Sequence, residues 1–425
     1  MPKGPIHVID EIMGNGKTSA MINYMNSKPE KKYIYLSPNL KELERIKNHC
    51  AGLKFKEPSC AHGSKSISFS YLLERKENIV ATHQLFFRQL EDVAKKYSGY
   101  TLIIDEAPNS VVADFDDKYH GDYDALFNSF LKFDNDYRAS WITDPGGEAY
   151  RGAFSELKEY CDIGYVRGVE NGKEKCLFKV FPAEFFEPFE DIFILTFLFK
   201  FQMAYAYFIS EGFSFDRYYV TETPDSYLLT DIPQPRKYID LASKIELISG
   251  KKNKLYEVGS GKSALSKTWY SNGRNCNRMR CKLRNFFDCT GSKANDRFWT
   301  VYSGQKEKIS GTRYNSSFLS CNAKSTNDYA DRHVVAYLIN LYFRPTISKY
   351  FKHYDVAICD NGFALSEMIQ FIFRSAIRKG ERIQLYIPSP RMRRLFLAFM
   401  DFAAGKTDHI EGIDVDIYDW NSAEN

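Results

Sequence analysis

The sequence predicts two α/β lobes built on parallel sheets, with an accessory segment inserted in or after the first. Three observations carry this. Short apolar runs alternate with helix-like patterns over the first hundred residues, the alternation resumes after residue 240, and the charge balance reverses near residue 235. A chain of 425 residues is long for one core, and 44% hydrophobic with 26% charged residues is ordinary for a folded globular protein.

In chain order, "IHVID" predicts a strand, "TSAMINYMN" a helix, "KYIYLSP" a second strand and "LKELERIKNHC" a second helix. "NIVATHQLFFRQL" and "YTLIIDEAPN" are each a strand running into a loop or helix. From about 108 to 190 the pattern loosens into acidic "DFDDKYHGDYD" and turn-rich "SWITDPGGEAYRG", which predicts an insertion. The run "IFILTFLFKFQMAYAYF" is interrupted by Lys200 and Gln202 and is short for a bilayer crossing of about 20 residues, so it predicts a buried strand followed by a helix and no membrane partner. Three prolines in "TETPDSYLLTDIPQPRKY" predict a linker near residue 235. Beyond it come "KIELI", "SSFLSCNA", "RHVVAYLINLYF", "LSEMIQFIFRSAIRKG" and "RIQLYIPS". The predicted organisation is therefore a first lobe at 1–235 containing the 108–190 insertion, a second lobe at 236–400, and an acidic tail at 401–425.

Charge separates these parts. Residues 1–235 carry 27 Lys+Arg against 35 Asp+Glu, residues 236–400 carry 30 against 12, and residues 401–425 carry 1 against 7. A second lobe at net +18 is the electrostatic footprint of a protein that binds a phosphate backbone, although a basic half also suits an acidic protein partner. The nine cysteines include no CxxC pair, and Cys276, Cys281 and Cys289 lack a nearby fourth ligand, so reduced and mostly buried thiols are expected in place of zinc. Nothing resembling a secretory leader opens the chain, which predicts a cytoplasmic protein. Trp269, Phe286, Phe287 and Trp299 are candidates for stacking on bases, with core packing the plainer assignment.

The chemistry begins at "IMGNGKTSAM". Gly14 and Gly16 supply permissive backbone, and the N–H groups from Asn15 to Ser19 converge at a helix start. Lys17 supplies a cation for the β and γ phosphates, and Thr18 a hydroxyl for Mg²⁺. The pattern GxxxxGK[ST] asks for glycine at position 11, where this chain has Glu11. A second tetrad, "GSGKS" at 259–263, has no strand before it and no apolar run ending in Asp-Glu after it, so a solvated loop or a backbone-phosphate contact is expected there. The first tetrad is followed by "TLIIDEAPN", a buried strand that delivers Asp105 to Mg²⁺ and Glu106 to the water that attacks the γ-phosphate. This predicts P-loop NTPase (RecA-like) lobes. Gln370, Arg374 and Arg378, spaced i, i+4, i+8 among apolar residues, predict one helical face that presents arginines to an anion.

These segments together resemble superfamily 2 helicases, the DEAD/DEAH-like two-lobed nucleic-acid motors, and in particular those encoded by tailed bacteriophages and prophages. "YIYLSPNLKELERI" is similar to motif Ia, with Ser37 and Pro38 at the nucleic-acid backbone. "ATHQLF" is similar to the next strand-binding motif, with Thr82 and His83. "ILTFLF" stands where a coupling motif with Thr196 lies, "CNAKSTNDY" resembles motif V with Thr326 and Asn327, and "MIQFIFRSAIR" resembles motif VI. The resemblance implies Mg-ATP as substrate, Arg374 and Arg378 as arginine fingers, single-stranded or forked DNA as partner, phage replication proteins as associates, and the host cytoplasm as location. It departs from the family at Glu11, at the second arginine, which lies one residue further along, and in lacking an upstream adenine-reading glutamine motif. An ATPase that remodels or packages without unwinding, and an origin-binding protein gated by ATP, are the other functions compatible with the same residues.

Overall fold

The computed structural model describes the chain except residues 1–2, 90–94, 109–110, 143–149, 172–173, 235–239, 249, 251–257, 259–260, 262, 322–327, 415, 418 and 421–425. The first sheet takes β1 (Lys3–Asp10), β2 (Lys32–Leu36), β3 (Ile79–Ala81) and β4 (Tyr100–Asp105) from the start of the chain. Five short strands follow in the inserted segment: β5 (Val112–Asp114), β6 (Leu131–Phe133), β7 (Ala139–Trp141), β8 (Val166–Asn171) and β9 (Glu174–Val180). Then β10 (Asp191–Thr196), β11 (Phe213–Thr223) and β12 (Ser226–Thr230) return to the first sheet, whose order is β12-β11-β1-β10-β4-β2-β3. All its neighbours run parallel except the edge hairpin β11–β12. In β4, Thr101 to Ile104 are completely buried, as expected of a central parallel strand covered on both faces.

Local signals account for the helices. Asn39 accepts the N–H of Lys41 to start Leu40–His49, and Ser64 accepts that of Ile67 to start Lys65–Glu74. Ser389, with Pro390 in the first turn, starts Pro390–Ala403. Asn272 starts Gly273–Thr290, and Gly291 ends it at φ 62°.

The second sheet is all parallel, in the order β13-β16-β15-β14, from β13 (Ile245–Leu247), β14 (Arg297–Thr300), β15 (Val334–Tyr337) and β16 (Ile383–Tyr386). In its described part "SSFLSCNA" forms no strand: Asn315–Ser317 makes a single tight turn and Phe318 only a bridge to Trp299. The fourth strand comes instead from "RFWT" (β14), a short aromatic run completely or nearly buried between charged segments.

The inserted segment folds on its own small core, including Phe115, Leu126, Trp141 and Leu157, with β5, β9 and β8 forming a three-stranded antiparallel sheet. It is tied to the first lobe by a buried ion pair, Arg167 to Glu211 at 2.6 Å, and Arg167 also donates to the Tyr350 hydroxyl at 3.0 Å. That second bond crosses the sequence division. Ile347, Tyr350 and Phe351 of helix Pro345–His353 pack into the first lobe's core, although they lie beyond residue 235. Residues 401–425 are likewise no solvated acidic tail in their described part. Ile410, Ile413 and Ile417 pack into the core of the second lobe and Trp420 into that of the first, because these apolar side chains recur between the acidic ones.

Three side chains proposed for stacking are core: Phe286, Phe287 and Trp299 are buried, and Trp269 is half-buried. The cysteines are all free, but only Cys50, Cys161 and Cys276 are buried, while Cys60, Cys281 and Cys289 are exposed. Cys276 and Cys281 share one helix at a spacing of five residues, which points them to different sides. Among the described residues no helix is long and apolar enough to cross a membrane.

Candidate active site

The carboxyl ends of β1, β4 and β10 meet the second lobe at a cleft of about 560 Å³. β1 hands the chain to the glycine loop, and helix Lys17–Ser27 starts from Gly16. Two loop residues need left-handed backbone: Gly14 at φ 95° and Gly16 at φ 76°. A side chain at Gly16 would collide with the Tyr227 ring at 2.3 Å, and one at Gly14 would press on the Arg378 carbonyl oxygen at 3.0 Å. Glu11 has no positive φ, so the pattern's first glycine is not required by backbone conformation here. The Glu11 carboxylate instead accepts the Asn15 side-chain amide at 3.3 Å across the loop. Glu11→Gly is therefore expected to change nucleotide affinity by no more than a few fold, about the value of one half-exposed hydrogen bond, which a nucleotide titration checks.

Lys17 Nζ donates to the carbonyls of Glu11 and Ile12 at 2.5 and 3.2 Å, and burial lowers its pKa to about 8. Across the cleft floor, Asp105 ends β4. Burial, with Glu42 and Glu106 nearby, pushes its carboxyl up to about 7, while Lys17 and a Ser37 hydroxyl at 3.3 Å pull it down. Glu106 sits at φ 66°, a left-handed conformation that costs a non-glycine residue about 1–3 kcal/mol and is held by its N–H to Leu195 O at 2.9 Å. Among the described residues no three His, Cys, Asp or Glu gather as a metal cage. Mg²⁺ that arrives with nucleotide needs only one or two carboxylates besides phosphate oxygens and water, and the Thr18 hydroxyl and Asp105 carboxylate, both lining the cleft, fit that requirement.

The second lobe closes the cleft. Gln370, Arg378 and Lys379 line it. The arginines do not share one helical face with Gln370, because helix Asp360–Ile372 stops before both. The Ser375 hydroxyl takes the Ile372 carbonyl at 2.6 Å and Ser375 is extended, so Arg378 falls on a separate tight turn, Ala376–Lys379. Arg374 is 9% exposed, its Nη1 is buried without an acceptor, and burial lowers its pKa against the pull of the neighbouring Glu106.

Four of the sequence candidates for strand contact stand differently. Ser37 is completely buried against Asp105, since β2 lies beside β4 and turns its end toward that carboxylate. His83 is 7% exposed and lies edge-on to Phe87, inside the core and off the surface. Thr82 is half-buried and its hydroxyl caps the turn at Leu85 N, while Pro38 is half-buried at the start of the next loop. Thr326 and Asn327, together with most of "GSGKS", lie outside the described residues.

Other residues in the cleft give no sequence signal that names their partners. Arg45 bridges Glu42 at 3.0 Å and the Ser19 hydroxyl at 2.8 Å. Asp10 is buried and accepts the N–H groups of Leu198 and Phe199 at 2.7 and 2.9 Å, fixing the loop after β10. From that loop a hydrogen-bonded chain crosses between lobes: Thr196 to Gln202 at 2.8 Å, Gln202 to Ser366 at 3.5 Å, and Gln370 to Ser366 at 3.2 Å. Elsewhere in the second lobe, His333 is held between Asp296 and Glu381, each at 2.8 Å, and both raise its pKa. A raised imidazole pKa contributes stability below its ordinary value near 6.5 and loses it as pH rises through the folded value. With the ring about two-fifths exposed, the gain stays below about 1 kcal/mol. Thermal melts should therefore show His333→Gln less stable than the parent at pH 6, with the gap narrowing as the pH rises.

Residues 239–400 match the family described as the YonV C-terminal Rossmann-like domain. The SPbeta prophage-derived protein YonV of Bacillus subtilis (strain 168) is 34% identical over 415 residues, covering 93% of this chain and 98% of the relative. The chain belongs to the YonV family. Among solved structures, apo XPD matches at a TM-score of 0.50 with 11% identity over 93% of this chain and 95% of that one. A structure described as XPD helicase matches at 0.44 with 10% identity over 94% and 95%. This YonV-family chain thus has the α/β, parallel-sheet, two-lobed architecture of XPD.

Proposed function

We propose that the chain is an ATP-driven motor on nucleic acid, a helicase or translocase of superfamily 2 type. Residues 1–235 form the nucleotide-binding lobe and residues 236–400 the basic closing lobe. The observation that carries the reading is Arg374: a buried guanidinium with an unpaired Nη1, delivered by one lobe beside Glu106 of the other. Glu106 and Glu367 act on this guanidinium only through their charge, and its Nη1 has no acceptor, which an oxygen of a γ-phosphate would supply.

In this reading the loop amides cradle the phosphates, and Lys17 exchanges its carbonyl partners for β and γ oxygens. Thr18 and Asp105 would hold Mg²⁺, which would neutralise charge on the phosphates. Glu106, fixed by its strained backbone, orients the attacking water and takes its proton. Arg374 and Arg378 stabilise the charge that develops as the γ-phosphoryl leaves. The Thr196–Gln202–Ser366–Gln370 chain transmits cleft closure between lobes. The +18 balance of residues 236–400 supports nucleic acid as the track, the prophage-derived relative supports a phage setting, and DNA in phage replication or recombination, in the host cytoplasm, is the track and place we propose.

Hydrolysis measured with and without single-stranded DNA or RNA tests this. ATP turnover is expected to rise on adding a strand, and the stimulation to fall steeply with salt. Absence of turnover under every condition overturns the motor and favours an ATP-gated binding protein. Turnover indifferent to either nucleic acid favours a remodelling or packaging ATPase.

A further inference from the structure

The second lobe holds another cavity, of about 800 Å³, that shares no lining residue with the nucleotide cleft. Its size falls in the range of small-ligand sites. Arg280 and Arg284 reach it from successive turns of helix Gly273–Thr290, Arg297 from the start of β14, and Arg313 from the loop preceding Tyr314. Asp288 is the single carboxylate among the lining residues, and among the described residues none forms an ion pair with these four arginines.

The cluster is more than a solvated basic face, because Arg297 is only 7% exposed. One of its terminal nitrogens donates to Ser292 O at 3.1 Å and the other to Arg313 O, and its guanidinium lies 4.5 Å from the Phe287 ring centroid. Its Nε is buried without an acceptor. Four guanidinium groups around one space repel one another, and a buried member cannot be screened by water as the exposed ones are. An anion relieves that repulsion, and the planar fork of Arg280 and Arg284 matches the oxygens of phosphate.

We propose that this cavity is a phosphate-binding site, in which the exposed guanidinium groups of Arg280 and Arg284 hold phosphate oxygens over the fixed charge of Arg297. The phosphate comes either from the backbone of a bound strand, where the proposal rests on the nucleic-acid reading above, or from a free phosphate ion.

Cys281 lines the same cavity and is exposed, so its thiol reports occupancy. In protein carrying Cys60→Ser and Cys289→Ser, the rate of Cys281 alkylation by a maleimide is followed by peptide mass spectrometry at constant ionic strength. Inorganic phosphate or oligo-thymidine is added, with chloride as the control and no ATP present. At ligand concentrations about ten times the dissociation constant, alkylation slows about tenfold, because only the unoccupied fraction reacts. The Arg280→Gln/Arg284→Gln double variant, altered only at exposed side chains, loses that protection while its hydrolysis of ATP without nucleic acid is unchanged. Protection by phosphate assigns the free ion, and protection by oligo-thymidine alone assigns the strand. Protection by neither, or equal protection in the double variant, overturns the site. With ATP absent from the assay, either negative result leaves the hydrolysis reading standing, and a protein that hydrolyses no ATP can still show protection.

Discussion

Lys17→Ala is expected to abolish ATP hydrolysis, with a loss of about 10²–10³-fold or more in phosphate release, the scale for removing one pre-placed donor that acts on developing charge. The fold should survive. Burial already disfavours the charged form of Lys17, and the carbonyls of Glu11 and Ile12 that it leaves lie beside an open cleft where water replaces it. Equal melting temperatures for variant and parent without nucleotide, alongside lost turnover, constitute the expected result. Lys262→Ala, in the second tetrad, should leave turnover nearly intact. The reverse pattern would move the catalytic site to 259–263 and refute the assignment made from the strand, helix and Asp-Glu context.

Arg374→Ala should lower kcat by about 10³-fold or more, the effect of losing an arginine finger, with a much smaller change in nucleotide affinity. In the proposed reading, binding would rest mainly on the loop and Lys17 of the first lobe, whereas Arg374 would arrive from the second and meet charge only as it develops. Arg374→Lys should restore little, since an ammonium cannot reproduce the planar fork. Removing Arg374 also removes a buried donor that has no acceptor, so the variant should be no less stable than the parent without nucleotide. A variant that keeps full turnover would make Arg374 a structural cation and return the finger role to Arg378 alone.

How far the sequence reached can be judged at single residues. The strand "IHVID", the glycine loop, the helix after it and "LIIDEA" are local patterns, in which the period of apolar residues and the backbone needs of Gly14 and Gly16 are set within a few positions. The Gly273–Thr290 helix was equally legible, since Cys276, Met279, Leu283, Phe286 and Phe287 recur at helical spacing, yet its many charged and polar residues masked it. Ser37 and His83 show the opposite case. Each stands at the end of a strand, but whether such a residue faces a ligand or a neighbour depends on which strand lies beside it, and sheet order is not written in the strand itself.

By itself, then, the sequence determined the α/β lobes, the glycine loop and the acidic pair at the end of β4, because each depends on residues adjacent in the chain. The tertiary structure alone decided that Glu11 bonds Asn15 without left-handed backbone, and that Arg374 comes near enough to Glu106 to feel its charge although its helix ends two residues earlier. It also decided that helix Pro345–His353 and Trp420 belong to the first lobe's core. The physical reason is common to the last two. Partners more than a hundred positions apart are chosen by packing and desolvation across the assembled fold, which no local pattern encodes.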